Sequence, residues 1–323
     1  MTTLIYDGSE DRFAFIHDAL AAAQAVAVAE RLGVFTRLVD GPVDPSILAR
    51  DCAISTRGAA ALLAALAGIG LVEATGNGAY RISNQPFPLA ELRAHWRELE
   101  SVVRTGEPRF AGDAPEEAGA NYPRIVPRLG SLFAPAAERF AKEVAAPGLR
   151  VLDLGAGAAP WSLALARHDP ACQVTAVDLP SVLTATRQAV LAAGCEAQFT
   201  FLGGDLFAAD WGTGGYDLAI LGNLCHLFDE QTNAVLLGKV FGAIRPLGRV
   251  AILDALPAED RDGPRGVVLY ALGLLLRTST GRVYPFSTYA DWISSAGYEA
   301  IKRMDLSGTP PISLVTAWRP AAE

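Results

Sequence analysis

Histidine, cysteine and methionine are scarce in this chain, with four, four and two residues among 323. Cys52, Cys172, Cys195 and Cys225 form no C-x-x-C pair and lack the density of a disulfide scaffold, so they read as reduced, mostly buried thiols of a cytoplasmic protein. The histidines are equally dispersed, which removes any zinc-ligand spacing, and no metal is expected. Basic residues are outnumbered 27 to 35, for a net charge of −8 and a pI near 5.1. That balance argues against nucleic acid and against an anionic membrane surface as partners. The opening segment, MTTLIYDGSEDRFAF, has no basic stretch leading into an apolar one, so no signal peptide is expected. The most apolar run, residues 266–276, is far shorter than the ~20 residues that cross a bilayer.

Apolar residues, by contrast, make up 51% of the chain, ample for a large core and consistent with two domains of roughly 100–200 residues. Residues 13–35 form an alanine-rich helical pattern that is apolar on more than one face. Such a helix is expected to be buried all round, here against a second copy of the chain. Two short helices follow, over 45–50 and 55–66. A hairpin comes next, with Leu71–Ala74 and Tyr80–Ser83 on either side of the turn Gly76-Asn77-Gly78. Helices followed by a hairpin suggest a winged helix-turn-helix over residues 1–105. DNA binding does not follow from that shape. The second helix carries one basic residue, Arg57, and residues 1–100 hold eight basic side chains against twelve acidic ones, whereas DNA binding needs several phosphate contacts. The wing is read as a scaffold for homodimerisation and for one wall of a substrate pocket.

After a connecting region from Phe87 to about Gly119, with Trp96 in a helix, a helical stretch from about Asn121 carries Arg128 and Phe133. Strands are then expected near 150–154, 173–178, 198–203, 216–222 and 248–254, with helical patterns between them. The alternation predicts an α/β fold with a parallel sheet covered on both faces, over residues 106–323. In such sheets ligands bind at the carboxyl ends of strands. Gly155, Asp178, Asp205, Asn223 and Asp254 all fall at or just after such ends.

The first of these ends carries the strongest signal. The apolar strand Val151–Leu154 runs into Gly155-Ala156-Gly157-Ala158-Ala159-Pro160. Glycines there allow a sharp turn and close approach of a ligand to the main chain, and Pro160 suits the first position of a helix. Asp178, roughly 20 residues on, sits where an acid binds ribose hydroxyls. An adenosine-containing ligand is indicated. A dinucleotide is disfavoured because Pro160 replaces the third glycine of G-x-G-x-x-G, and no Lys-Ser or Lys-Thr follows to make a P-loop. Asp153, two residues before the first glycine, suits a ligand with a positively charged amino group.

Asp153-x-Gly155-x-Gly157, Val177-Asp178-Leu179-Pro180, Gly203-Gly204-Asp205-Leu206-Phe207 and Asn223-Leu224-Cys225-His226 occur in that order. Together with the N-terminal winged domain and the late helix Tyr289–Tyr298, they resemble the S-adenosylmethionine-dependent O-methyltransferases of the plant caffeate and bacterial polyketide-tailoring type. The resemblance implies a Rossmann-like class I methyltransferase domain with S-adenosylmethionine as cofactor. It places Gly155 and Gly157 beneath the methionine portion, with Asp153 near its amino group. Asp178 would lie on the ribose and Leu179 on the adenine, while Asp205, Leu206 and Phe207 would hold the adenine edge and face. Gly204, Gly222 and Asn223 complete the expected cofactor-binding set.

The same resemblance implies His226 as general base, a role that suits a side chain titrating near pH 6.5. His17, His95 and His168 fall in helical or surface contexts. Asp254 matches one of the family's supporting acids with a shorter side chain. The second should fall near Val283, where this chain has no carboxylate. The helix Arg265–Arg277 resembles the segment that roofs the acceptor pocket, with Tyr270 and Arg277 as polar contacts. Trp96, Arg128 and Phe133 are further acceptor-binding candidates, and an arginine there could pair with an acceptor carboxylate. An O-methyltransferase acting on a small aromatic or polyketide-like metabolite is the expectation. Two alternatives remain: C-methylation or a non-methylating reaction on the same fold and cofactor, and a winged-helix regulator, which the arginine-poor second helix disfavours.

Overall fold

The computed structural model describes residues 12–83, 94–306 and 311–322. The chain divides into two units, Met1–Arg97 and Glu98–Glu323, ahead of the 105/106 boundary expected from the sequence. Residues 84–93, which carry the start of the expected connecting region, lie outside the described residues.

The first unit contains helices α1 (Arg12–Arg31), α2 (Val34–Val39), α3 (Pro45–Asp51) and α4 (Thr56–Gly68) and strands β1 (Val72–Ala74) and β2 (Tyr80–Ile82). Local chemistry sets the helix starts. Asp44 accepts the N–H groups of Ser46 and Ile47 ahead of Pro45, and Ser55 accepts that of Gly58, each satisfying donors that a helix start leaves orphaned. β1 and β2 pair antiparallel, Val72 opposite Ile82, and Val43 adds a bridge to Tyr80. Leu38, Leu48, Leu63, Leu66 and Val72 form the core. The expected burial of α1 on all sides is not met within one chain: Ile16 and Leu20 are 55% and 60% exposed. One face packs on this unit, through Val26 and Ala29, and the other remains apolar and uncovered.

The second unit opens with α5 (Leu99–Thr105) and α6 (Pro115–Val144). α6 begins earlier than Asn121 and continues through Pro123, Pro127 and Pro135. Interior prolines oppose a helix by removing a donor and crowding the preceding turn. Here the packing of Val126, Phe133, Ala137 and Phe140 outweighs that local cost. A seven-stranded sheet follows in the order β5-β4-β3-β6-β7-β9-β8. Its strands are β3 (Arg150–Leu154), β4 (Gln173–Asp178), β5 (Phe199–Gly203), β6 (Tyr216–Gly222), β7 (Ile244–Asp254), β8 (Glu299–Leu306) and β9 (Ile312–Trp318). Strands β3 to β7 pair in parallel, while β9 runs antiparallel to β7 and β8. The intervening helices are α7 (Pro160–His168), α8 (Leu183–Ala193), α9 (Glu230–Ala243), α10 (Arg265–Leu275) and α11 (Phe286–Ser295).

Both faces of the sheet are covered. Val151 packs with Phe140 and Trp161 on one side, and its neighbours Leu152 and Leu154 pack with Leu236 and Tyr289 on the other, as period-two alternation in a doubly covered sheet requires. The strand order reverses at β3, whose neighbours are β4 and β6. A crevice opens at the carboxyl ends on either side of such a reversal, and Gly155, Asp178, Gly204 and Asn223 are carried there. Among the described residues no helix is long and apolar enough to cross a membrane.

Candidate active site

A cleft with about 1090 Å³ of atom-free space, open mouth included, lies at these strand ends. Its floor is the turn after β3. The N–H groups of Gly155 and Ala156 both donate to the Val177 carbonyl, which ties the turn to β4. Gly155 and Gly157 take φ of +65° and +56°, the left-handed region that glycine enters without steric cost. Ala159 takes φ of +53° in the same turn, where a side chain costs about 1–2 kcal/mol. Asp178 completes the floor. One carboxylate oxygen accepts the Gly157 N–H at 2.8 Å and the other that of Leu179 at 2.7 Å. Burial pushes its pKa up to about 6, against those two hydrogen bonds.

The wall beside β5 is held from two directions. Asp205 accepts the N–H groups of Phe207 and Ala208. Lys239 on α9 donates to the carbonyls of Leu206, Phe207 and Ala209 and stands 4.2 Å over the Trp211 ring. These contacts present Leu206 and Phe207 to the cleft. An acid beside bare backbone, with apolar side chains across the cleft, fits an adenosine carrying a short polar tail.

His226 and Asp254 meet at the ends of β6 and β7. The Nδ1 of His226 is 2.6 Å from Asp254 Oδ1. An ionised carboxylate only accepts, so Nδ1 carries the proton and Nε2 keeps its lone pair. Asp254 also accepts the N–H groups of His226 and Ala255 and the Tyr289 hydroxyl. Four donors on two oxygens satisfy a carboxylate that has no exposure to solvent, as a buried charge demands. Val283, where a second supporting acid is missing, packs among apolar residues, and Tyr289 supplies an additional contact to Asp254. On the other side, the Tyr270 hydroxyl lies 2.9 Å from His226 Nε2, and Arg277 donates to the same hydroxyl at 2.7 Å. Gly281 is obligatory here. A Cβ at that position would lie 2.5 Å from the His226 carbonyl.

The structure brings Gly155, Gly157, Asp178, Leu179, Gly204, Asp205, Leu206, Phe207, Gly222, Asn223 and Phe133 to the cleft wall. Asp153 lies behind it, buried and bound to the Ser162 hydroxyl, and burial raises its pKa to about 7. His226, Asp254, Tyr270 and Arg277 form the network just described and do not line the cleft. Arg128 is exposed and off the wall. Helical spacing explains this: Tyr122, Val126, Leu129 and Phe133 line the cleft along one face of α6, and Arg128 projects from another. Trp96 belongs to the first unit, is 38% exposed and is not a lining residue. His17 sits at the surface beside Asp18, and His168 beside Glu138.

Trp161 and Tyr122 are among the wall residues that sequence reading missed. Trp161 stacks on Phe133 with centroids 5.8 Å apart and meets Phe140 edge-on. Tyr122 places a buried, unpartnered hydroxyl oxygen at the wall. The position of Pro160 at a helix start could have flagged Trp161 as the next side chain over the turn. Nothing local marked Tyr122.

The family model for the O-methyltransferase domain matches residues 138–299, which span the glycine turn, Asp178, Asp205 and the His226–Asp254 pair. The chain belongs to the O-methyltransferase family. It is 28% identical over 301 residues to the 3-hydroxy-5-methyl-1-naphthoate 3-O-methyltransferase of Streptomyces sahachiroi, covering 86% of each chain. It is 26% identical over 326 residues to the tetracenomycin polyketide synthesis 8-O-methyl transferase of Streptomyces glaucescens, covering 92% of this chain and 93% of that one. Human N-acetylserotonin methyltransferase, solved in complex with S-adenosylmethionine, shares the fold with a TM-score of 0.75 at 23% identity, over 98% of this chain and 100% of that one. This O-methyltransferase is S-adenosylmethionine-dependent, and its cleft residues fit that donor.

With the ribose hydroxyls on Asp178, as the sequence leads one to expect, cofactor affinity is predicted to depend on pH. Hydroxyl groups would donate to the ionised carboxylate, and a pKa raised to about 6 leaves that form dominant above pH 6, half present at it and lost as pH falls further. The dissociation constant for S-adenosylhomocysteine is expected to rise about tenfold per pH unit below that point. Asp178→Asn should raise it about 10- to 10²-fold at neutral pH, the worth of hydrogen bonds to a charged group, and flatten the profile. Calorimetric titration across pH 5–8 reads both effects.

Proposed function

We propose that this O-methyltransferase methylates a phenolic hydroxyl of an aromatic or polyketide-like small molecule, with His226 as general base. The observation that carries this reading is the 2.6 Å contact between His226 Nδ1 and Asp254. With Asp254 as a carboxylate the proton sits on Nδ1, which leaves Nε2, now met by the Tyr270 hydroxyl, as the basic nitrogen. S-adenosylmethionine supplies an electrophilic methyl group on a sulfonium. The protein's part is to align the acceptor and accept its proton. Gly155 and Gly157 admit the methionine portion against the main chain, Asp178 accepts the ribose hydroxyls, and Leu179, Leu206 and Phe207 flank the adenine. Asp254 steadies the imidazolium that forms, and Phe133, Trp161 and Tyr122 shape the side facing the acceptor. The names of the two Streptomyces relatives support an aromatic or polyketide acceptor.

The first unit serves as a homodimerisation scaffold rather than a nucleic-acid reader, and the protein acts in the cytoplasm. The exposed apolar face of α1 supports the first point, and Arg57, the lone basic side chain of α4, supports the second. The reduced cysteines are in keeping with the third.

Incubation with S-adenosylmethionine and a panel of phenols that includes 3-hydroxy-1-naphthoate is expected to release one S-adenosylhomocysteine per O-methylated product. A new methoxy carbon resonance identifies the atom methylated. Methylation at carbon, or conversion of a phenol without S-adenosylhomocysteine release, would overturn the reading.

A further inference from the structure

Among the described residues the cleft wall carries no lysine, arginine or histidine, and its charged side chains are Asp113, Asp178 and Asp205. Such a wall suits the two positive charges of S-adenosylmethionine, on sulfur and on nitrogen. It offers nothing of opposite sign to the carboxylate of the same ligand. A carboxylate taken out of water still needs hydrogen-bond donors, so the donors here must be neutral.

The strand order says where to look for them. The ends of β5, β4, β3 and β6 lie side by side and bring Asp205, Asp178, the glycine turn and Gly222 to the cleft in that sequence. With adenine beside Asp205 and ribose on Asp178, the amino-acid tail crosses the glycine turn and ends at β6. Trp161 stands there. It is 2% exposed, and its Nε1 has no hydrogen-bond partner among the described residues, whereas a buried indole N–H ordinarily finds one.

Packing fixes the direction of that N–H. Phe133 stacks on the ring and Phe140 meets it edge-on. A Cβ on Gly222 would lie 2.3 Å from Cδ1 and 2.4 Å from Nε1 but 3.4 Å from Cγ, so the indole turns its Cδ1–Nε1 edge, not its face, toward Gly222. Glycine at the end of β6 thus leaves the N–H uncovered on the wall, where any side chain would stand in front of it. An indole nitrogen only donates, so the ligand atom that meets it is an acceptor. Two more neutral donors stand close by in the chain. No side chain caps the start of α7, which leaves backbone N–H groups free at its positive end. Asn223, next to Gly222, supplies the one side-chain amide of the wall.

We infer that Trp161 is a cofactor-binding residue whose indole N–H holds the carboxylate of S-adenosylmethionine at the end of β6, with the Asn223 amide and the start of α7 as neighbouring donors. The inference rests on the proposed layout, with adenosine at Asp205 and Asp178. An anchored tail restricts how the sulfonium can shift along the wall, and so contributes to aligning the methyl group with its acceptor.

Calorimetric titration with S-adenosylhomocysteine and with its decarboxylated analogue, which keeps the adenosine, the sulfur and the amine, tests this. Trp161→Phe retains an aromatic ring between Phe133 and Phe140 and loses the N–H. It should weaken S-adenosylhomocysteine about tenfold, the worth of a hydrogen bond to a charged group, and leave the analogue within about twofold. Comparing the two ligands on both proteins cancels the effect of the analogue's different charge. Equal losses on both ligands would make Trp161 a packing residue, and undiminished S-adenosylhomocysteine binding would remove it from the site; either result overturns the inference. Asp178→Asn should weaken both ligands alike. If it weakens neither, the layout fails and the inference with it, whereas a weakened Asp178→Asn beside an inert Trp161→Phe defeats the carboxylate assignment alone. Wild-type protein gives a second reading that does not depend on how well Trp161→Phe folds. Trp161 is the one tryptophan on the wall, so one indole N–H proton resonance should move downfield with S-adenosylhomocysteine and not with the analogue. The same displacement with both ligands, or none with either, overturns the inference.

Discussion

His226→Ala is expected to lower turnover by about 10³-fold, within the 10²–10⁴ range of general-base removal, while S-adenosylhomocysteine affinity stays within about twofold. The two effects separate because His226 is not among the cleft-lining residues, whereas those expected to hold the cofactor, Asp153 excepted, are. The fold should survive. Asp254 would still accept from the His226 and Ala255 N–H groups and from the Tyr289 hydroxyl. Only one of its four hydrogen bonds is lost, and the lost partner is a neutral ring. Asp254→Asn is the companion measurement and fails differently. All four contacts to Asp254 are donors, so the new amide NH₂ must face some of them wherever it points. Each unmet buried donor costs about 1–3 kcal/mol, and the imidazole loses the acceptor that sets its tautomer. A lowered melting temperature should therefore accompany the loss of turnover in Asp254→Asn but not in His226→Ala. Undiminished methyl transfer by His226→Ala would remove the imidazole from the chemistry.

The second large effect is steric. In Gly222→Ala the new Cβ would lie 2.3 Å from Trp161 Cδ1 and 2.4 Å from Nε1, distances no relaxed structure holds. Trp161 has little freedom to retreat. It is 2% exposed and packed between Phe133 and Phe140. Overpacking a rigid core costs about 1–3 kcal/mol and occasionally more. We expect the upper end, a fall of about 6–12 °C in melting temperature for a unit of this size. Because Trp161 and Gly222 both line the cleft, S-adenosylhomocysteine affinity should weaken as well. Gly242→Ala is the control. That glycine lies in α9, and its Cβ would meet nothing within 4 Å, so the change should be neutral or slightly stabilising. Equal melting temperatures for Gly222→Ala and Gly242→Ala would show that Trp161 yields freely.

Much of the second unit was legible because its signals are local. β3, β4 and β6 follow apolar runs bounded by turn residues, and the turn Gly155–Gly157 needs the positive φ that glycine supplies. Asp178 could be placed from its distance along the chain alone, since β4 pairs in register with β3 and delivers its end to the same edge. α6 was read late because prolines 123, 127 and 135 oppose a helix locally, and only the packing of its apolar face overrides them. α1 was read as fully enclosed because its apolar pattern wraps the helix, but a pattern states what seeks burial, not what supplies it within one chain.

The candidate site divides along the same line. The sequence by itself determined the glycine turn and the strand-end acids Asp178 and Asp205 that the cleft gathers, because such features act through backbone conformation and short, fixed spacings. It also identified His226 and Asp254, 28 residues apart, as members of one site. Only the tertiary structure decided how they act. It buried both side chains, satisfied Asp254 through Tyr289, and set Tyr270, with Arg277 behind it, against the histidine. It also put Tyr122 and Trp161 on the wall and turned Arg128 away from it. Each of these depends on which face of a helix meets the sheet and on contacts between residues distant in the chain. Packing of the whole core sets those contacts, and no local pattern encodes them.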